Sequence, residues 1–323
     1  MSTPEMPDPS EPQVEPVRES PRAEPPRESP QAEPPREFEP PVVEAAGPSD
    51  ANALRGHHFK RLLGKQLTWW LIGVPAAAIG VIVAGSVSVV VGLVVALAVV
   101  AIGIGVVFAI ADSKAADDFF DVYAENHGLE LGDKSKLPSA TPLLRKGDDR
   151  YANRTLAGEI APGCDGLLAL FTYEEQTTDS NGNRQTNYHR YTLGMSEVPD
   201  CIEHVPELYC QRRAGLRSLE KFEDVFRRSK RRVTLESEAL GDRYEIFVAK
   251  DQDDVWLRRL LSPSFIVWLT ESAPDKFAFE LVGGTLVAYV PKHREDAADL
   301  DSIAAATGAV AKRLREKSSD SEA

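Results

Sequence analysis

The chain has 323 residues, with 50 acidic and 37 basic side chains and a net charge of −13 when its histidines are neutral. Residues 112–323 keep −9 of that charge, which argues against nucleic-acid binding, since that rests on neutralising phosphates. Three cysteines, Cys164, Cys201 and Cys210, are too few and too unevenly spaced for a disulfide framework and suit a reducing compartment.

Residues 1–53 predict a disordered Pro/Glu-rich tail. The first 50 residues hold 14 of the 23 prolines and 12 acids against four arginines. They hold almost no aliphatic side chains to offset an ordering cost of about 1–2 kcal/mol per residue. A near-repeat of nine residues runs through them: Arg18-Glu-Ser-Pro-Arg-Ala-Glu-Pro-Pro26, Arg27-Glu-Ser-Pro-Gln-Ala-Glu-Pro-Pro35, then Arg36-Glu-Phe-Glu-Pro-Pro41. The proline pairs favour polyproline II. The tail reads either as a solvating spacer or as an arm for a Pro-recognising partner, with Ser20 and Ser29 as kinase sites. It has no apolar core for a secretory signal, so membrane entry falls to an internal segment.

Residues 54–67 form a basic juxtamembrane segment with Arg55, Lys60, Arg61 and Lys65 and no acid. From Gln66 to Ala111 there is no charged residue. One helix over that length would be about 69 Å long, more than twice the hydrocarbon core. The segment therefore predicts a transmembrane hairpin over 68–111, with spans near 68–86 and 89–111 broken at Gly85-Ser86-Val87-Ser88. Trp69 and Trp70 stand where an interfacial aromatic belt belongs, beside Arg61 and Lys65. The basic flank predicts a cytoplasmic N-terminus, and two spans return the C-terminus to the same side: a multi-pass protein of the cell membrane. Small residues recur at Ala76, Gly80, Ala84 and Ser88, and at Ala101, Gly105 and Ala109. Such rows suit packing of the two spans on each other, or of protomers in a homo-oligomer. Neither span carries an ionisable group, so the hairpin reads as an anchor rather than a proton-coupled transport path.

Residues 112–150 read as a membrane-proximal helix, Ala115 to a C-cap at Gly128, and a connector holding Pro138 and Pro142. Residues 151–316 read as an α+β domain and 317–323 as a disordered C-terminus. Strand signals cover Gly166–Tyr173, Gln185–Leu193, Arg232–Leu235, Tyr244–Ala249, Phe277–Val282 and Thr285–Val290, with hairpin turns at Asn181-Gly182 and Gly283-Gly284. Helices are expected at 216–228, 255–261, 264–271 and after Arg294, the last with Leu300, Ile303, Thr307, Val310 and Leu314 on one face. Ser262-Pro263 predicts a helix start, and Trp256 and Trp268 read as core. Hairpin strands with interleaved helices make an α+β fold attached to the hairpin, not a doubly wound one.

Phe119, Phe120, Tyr123 and Ala124 followed by Gly128 and Leu129, together with Thr141-Pro-Leu-Leu-Arg-Lys-Gly147 and Phe171-Thr-Tyr-Glu174, resemble motifs of uncharacterised bacterial two-span membrane proteins. The resemblance spans residues 55–315. It implies the architecture and carries no activity.

No motif predicts a catalytic residue, cofactor or metal. Cys201 and His204, with Cys210 and Cys164, offer one ligand pair where structural zinc shows two. Asp179, Asn181 and Asn183 begin like a calcium loop, but Arg184 and Arg190 stand where glycine and glutamate are needed. Ser218 and Lys221 have serine–lysine spacing without supporting motifs. The main surface feature is basic: Arg227, Arg228, Lys230, Arg231 and Arg232. It suits anionic lipid headgroups, at about 1 kcal/mol per residue, an acidic protein partner, or a solvated turn. The expected function is a non-enzymatic membrane-anchored cytoplasmic interaction or scaffold module. The alternative is an enzyme acting on lipid or envelope precursors.

Overall fold

The computed structural model describes Phe38, Pro41 and residues 66–86, 88–178, 180, 182–213 and 229–322. The expected helix 216–228 with Ser218 and Lys221, the cations Arg61, Lys65, Arg227 and Arg228, and both Asp179 and Asn181 lie outside these residues. Trp69 and Trp70 fall on the first helix, on a stretch whose side chains are also outside them.

Helix α1 (Gln66–Ser86) stops at the small polar cluster, and α2 (Val89–His127) restarts from Ser88, whose Oγ accepts the Val91 N–H at 3.3 Å. That bond satisfies one of the amides a helix start leaves free. The two helices meet at small residues. A Cβ on Gly92 would lie 2.5 Å from the Gly80 carbonyl oxygen and 2.7 Å from the Ala84 Cβ. Of the first small-residue row, Ala76 and Gly80 are buried, Ala84 is half-buried and Ser88 is exposed; the partners of Gly80 and Ala84 are Gly92 and Ala96. Ala101 and Gly105 of the second row are not the matching face: Ala101 is exposed, and a Cβ on Gly105 would meet nothing within 4 Å. Backbones this close leave no room for a larger residue, so Gly92→Leu is expected to cost ~1–3 kcal/mol, read as a lowered melting midpoint of the detergent-solubilised protein.

Among the described residues, one window, Val89–Val106, is long and apolar enough to cross a membrane, with a mean hydropathy of 3.0 and 6% of it buried. Helix α2 does not end there. It runs 39 residues and closes at Gly128, in the left-handed conformation (φ 63°). The Leu129 N–H returns to the Ala124 carbonyl at 2.9 Å. Phe119, Phe120, Tyr123 and Ala124 are buried, so the last turns of this helix belong to the domain core.

The nine strands among the described residues form one antiparallel sheet: β1 (Glu130–Gly132), β2 (Asp149–Ala161), β3 (Cys164–Thr178), β4 (Arg184–Glu197), β5 (Glu207–Arg212), β6 (Lys230–Val233), β7 (Tyr244–Ala249), β8 (Ala278–Val282) and β9 (Thr285–Pro291), in the order β1-β2-β3-β4-β9-β8-β5-β7-β6. The domain is a mixed helix and sheet fold. Gly283 and Gly284 both have positive φ, as a two-residue hairpin turn between β8 and β9 requires. Strands β1, β2 and β5 fall outside the strands read from the sequence.

The sheet has two buried faces. On one, the end of α2, α4 (Glu238–Arg243), α5 (Asp254–Leu260), α6 (Pro263–Val267) and α7 (Ala297–Glu322) pack over Leu168, Leu208, Phe279, Leu286 and Val290. Trp256 and Trp268 lie in this core, and Leu300, Ile303, Thr307, Val310 and Leu314 of α7 are all buried. Ser262 caps α6 with Pro263 in its first position, as the sequence indicates. Helix α7 corrects one boundary: it continues to Glu322 through the segment 317–322 expected to be disordered, with Lys317 and Ser318 buried. Its second half is fastened by Arg313, which donates to the carbonyls of Arg259 (2.7 Å) and Leu260 (3.2 Å) at the end of α5. Within the tail expected to be disordered, Phe38 is likewise seated in this core.

The other face is covered by a strap, residues 133–148, which carries the short helix α3 (Pro142–Arg145) and lays Leu143 and Leu144 over Ala169, Phe171, Leu193 and Val287.

Candidate functional site

The strap is where the described residues gather buried polar chemistry. Alternation along β8 turns Phe279 and Leu281 into the main core and sends Glu280 to the strap face. The same alternation on β5, β9, β4 and β3 places Tyr209, Gln211, Tyr289, Tyr191 and Tyr173 on that face. Glu280 is 1% exposed. One carboxylate oxygen accepts the Leu143 N–H at 2.9 Å, in the first turn of α3, and the other accepts Gln211 Nε2 at 3.2 Å. Lys146, at the other end of α3, is 7% exposed and sits 6.0 Å from the Tyr173 ring. Tyr173 stacks on His189 (4.6 Å) and Tyr191 (5.9 Å), and Tyr191 meets Tyr289 edge-on at 5.8 Å.

Burial dominates the electrostatics. It pushes the Glu280 carboxyl above the ordinary glutamate range, against the opposing pull of the Leu143 N–H and the Lys146 charge. It pulls Lys146 down, with Glu280 resisting. The phenols of Tyr173, Tyr191, Tyr209 and Tyr289 are all raised by burial, so they stay protonated at neutral pH. The cluster is enclosed between the strap and the sheet. Its geometry pins a loop to a sheet.

Two of the segments singled out in the sequence, Thr141–Gly147 and Phe171–Glu174, meet here. Gly147 ends the Thr141–Gly147 motif with φ 79°, and a Cβ on it would lie 2.6 Å from the Glu174 carbonyl oxygen. Glu174 closes the Phe171–Glu174 motif. Its carbonyl accepts the Asp148 N–H at 2.7 Å, while its side chain accepts the Tyr151 hydroxyl at 3.1 Å. The motifs are the two halves of one clasp: a strap that lies down on β3 because glycine alone permits the approach. The third motif is the buried end of α2. There the Tyr123 hydroxyl donates to Asp301 of α7 at 2.7 Å, and His127 Nε2 lies 3.1 Å from the same carboxylate.

The basic patch is partly neutralised. Lys230, Arg231 and Arg232 form β6 and point alternately to its two faces. Lys230 pairs with Glu207. Arg231 pairs with Asp254 and donates to the Gln252 carbonyl at 2.7 Å, and Arg232 lies 3.2 Å from Glu245. Three of the five cations thus carry acidic partners, which lowers their pull on headgroups. The cysteines are buried in the core. Cys201 Sγ donates to the Val198 carbonyl at 2.9 Å, and burial pushes its thiol up to about 11. Cys164 Sγ lies 3.4 Å from Ser196 Oγ. Among the described residues, no three His, Cys, Asp or Glu side chains are grouped to hold a metal.

No family model and no curated protein matches the chain. Among solved structures it is similar to the crystal structure of the mycobacterial trehalose monomycolate transport factor A, at 12% identity over 62% of this chain and 94% of that one, with a TM-score of 0.39. A likeness that distant assigns neither fold nor activity to this chain.

Proposed function

We propose that this protein is a membrane-anchored, non-enzymatic scaffold in which α1 and α2 both cross the bilayer and a rigid post holds the α+β domain at the cytoplasmic surface. The observation that carries the reading is the continuity of α2. One helix contains the apolar window Val89–Val106 and ends with Phe119, Phe120 and Tyr123 inside the domain core. Asp112 is the first charge after the apolar segment, and the core begins at Phe119, about 10 Å further along the helix. No flexible linker intervenes, so the domain lies close to the headgroups in a fixed orientation.

Two spans are supported by the seat of Phe38. A tail residue packed in the domain requires both flanks of the apolar segment to lie on one side of the bilayer, hence an even number of crossings. The distance is no obstacle, since the chain from Phe38 to Gln66 reaches up to about 95 Å when extended. The basic flank at Arg55, Lys60, Arg61 and Lys65 makes that side the cytoplasm.

Topology reporters fused after residue 323 and inserted at Ser86–Ser88 test the proposal. Expected are a cytoplasmic C-terminus and an external loop. A C-terminus outside, or a loop on the domain's own side, refutes it.

A further inference from the structure

The main core contains one residue supplied from far outside the domain. Phe38 is 8% exposed. Its ring packs edge-on against Phe265 at 5.0 Å and tilted against Trp268 at 5.3 Å. Its backbone N–H points to Ser264 Oγ at 3.4 Å, and that oxygen lies 3.2 Å from Ser262 Oγ. The receiving slot is made by α6 and the π turn Trp268–Ser272 that follows it. A π turn widens a helix by one residue per turn and recurs at functional sites. Here Trp268, Leu269 and Thr270 of that turn are buried.

The sequence singles out the occupant. Phe38 is the one aromatic residue among the first 50. It stands in the third unit of the near-repeat, at the position held by Ser20 and Ser29 in the first two. Those units share the flanking Arg-Glu and the proline pairs but have no side chain to fill the slot.

We propose that the slot formed by Ser264, Phe265 and Trp268 is a peptide-binding site for a Phe-Glu-Pro-Pro sequence, with Phe38 of the chain's own arm as its resident anchor. The recognition elements are an aromatic anchor in an aromatic-walled pocket, a hydroxyl acceptor for the anchor's backbone N–H, and a proline pair that stiffens the segment beyond it. Residues 39–65, a span of 27, tie Phe38 to the first apolar helix, and an intramolecular ligand competes with a free one at an effective concentration of the order of millimolar. A slot that binds the free peptide at about 100 μM is therefore filled about 90% of the time in cis.

The test uses the full chain in detergent micelles and a fluorescein-labelled synthetic peptide of residues 34–43, read by anisotropy. Phe38→Ala removes the anchoring ring, and a thermal melt of the variant checks that the domain stays folded. This variant is expected to bind the peptide at least tenfold more tightly than the wild-type chain, and a peptide of residues 18–26 should bind neither. Absence of binding to the variant overturns the site. Equal binding to variant and wild type overturns occupancy by the arm. Binding of the 18–26 peptide overturns the role of the phenylalanine. The topology reporters count the crossings without the peptide, so failure here and failure of the two-span reading are told apart.

Discussion

Replacing Glu280 by alanine is expected to destabilise the domain by about 3–5 kcal/mol, because truncating one member of a buried charged cluster strands its partners. Those partners are explicit: the Leu143 N–H, Gln211 Nε2 and the ammonium of Lys146, which is itself 7% exposed. Glu280→Gln keeps the size and the acceptor while removing the charge, and should cost far less. The pair of variants also separates charge from shape through pH. A carboxyl raised in the folded state binds its proton more readily there than in the unfolded chain. Between the two pKa values the native state then holds more protons, so stability falls as pH rises. The window opens near the ordinary glutamate value of about 4.3 and extends upward to the folded value. Mild acidification should therefore stabilise the wild-type strap, and the Gln variant should lose that slope. Denaturant titrations of the detergent-solubilised protein at several pH values between 4 and 8 decide the matter. An alanine variant within ~1 kcal/mol of wild type, or a Gln variant with an unchanged slope, would mean that the carboxyl does not hold the strap.

What the sequence makes legible, and what it hides, follows from the range of the interactions. Local chemistry reads well. Ser262-Pro263 starts a helix, Gly128 ends one, Gly283-Gly284 turns a hairpin and Ser88 restarts the second apolar helix, because each depends on a few adjacent residues. Strand β2 escapes for a physical reason. A register shift between Ala152 and Thr155 sends Ala152 to the strap face but Leu156 and Ile160 to the helix face, which destroys the simple alternation. Strand β5 is short, and its Tyr209 and Gln211 face polar Glu280, so it lacks an apolar stripe on that side. The strap cluster is hidden for a stronger reason. In an alternating strand Glu280 reads as the solvent face, and only a segment 137 residues earlier in the chain makes it a buried one. Phe38 did leave a signal: a lone aromatic in a Pro/Glu tail is out of place unless something receives it.

Phe119→Ala should show whether α2 is a rigid post or merely a tether. Phe119 is 1% exposed and packs on Phe120 at 5.0 Å and on Tyr123 at 6.0 Å, where the long apolar helix enters the core. Removing a buried phenylalanine ring costs about 3–5 kcal/mol, whereas Val122→Ala, on the exposed side of the same turn, should stay within about 0.5 kcal/mol. The mechanical consequence matters more than the energy. With the aromatic plug loosened, the polar link between α2 and α7 is the contact of Tyr123 and His127 with Asp301, two interactions that water can replace. Spin labels on exposed Val106 of α2 and exposed Tyr188 of β4 report the coupling directly. The wild-type protein should give one narrow distance distribution, and the Phe119 variant a broad one at temperatures where the domain is still folded. A distribution that stays narrow after the substitution would place the rigidity elsewhere. One broad already in the wild type would reduce the helix to a leash and remove the reason for reading the domain as a platform fixed to the membrane surface.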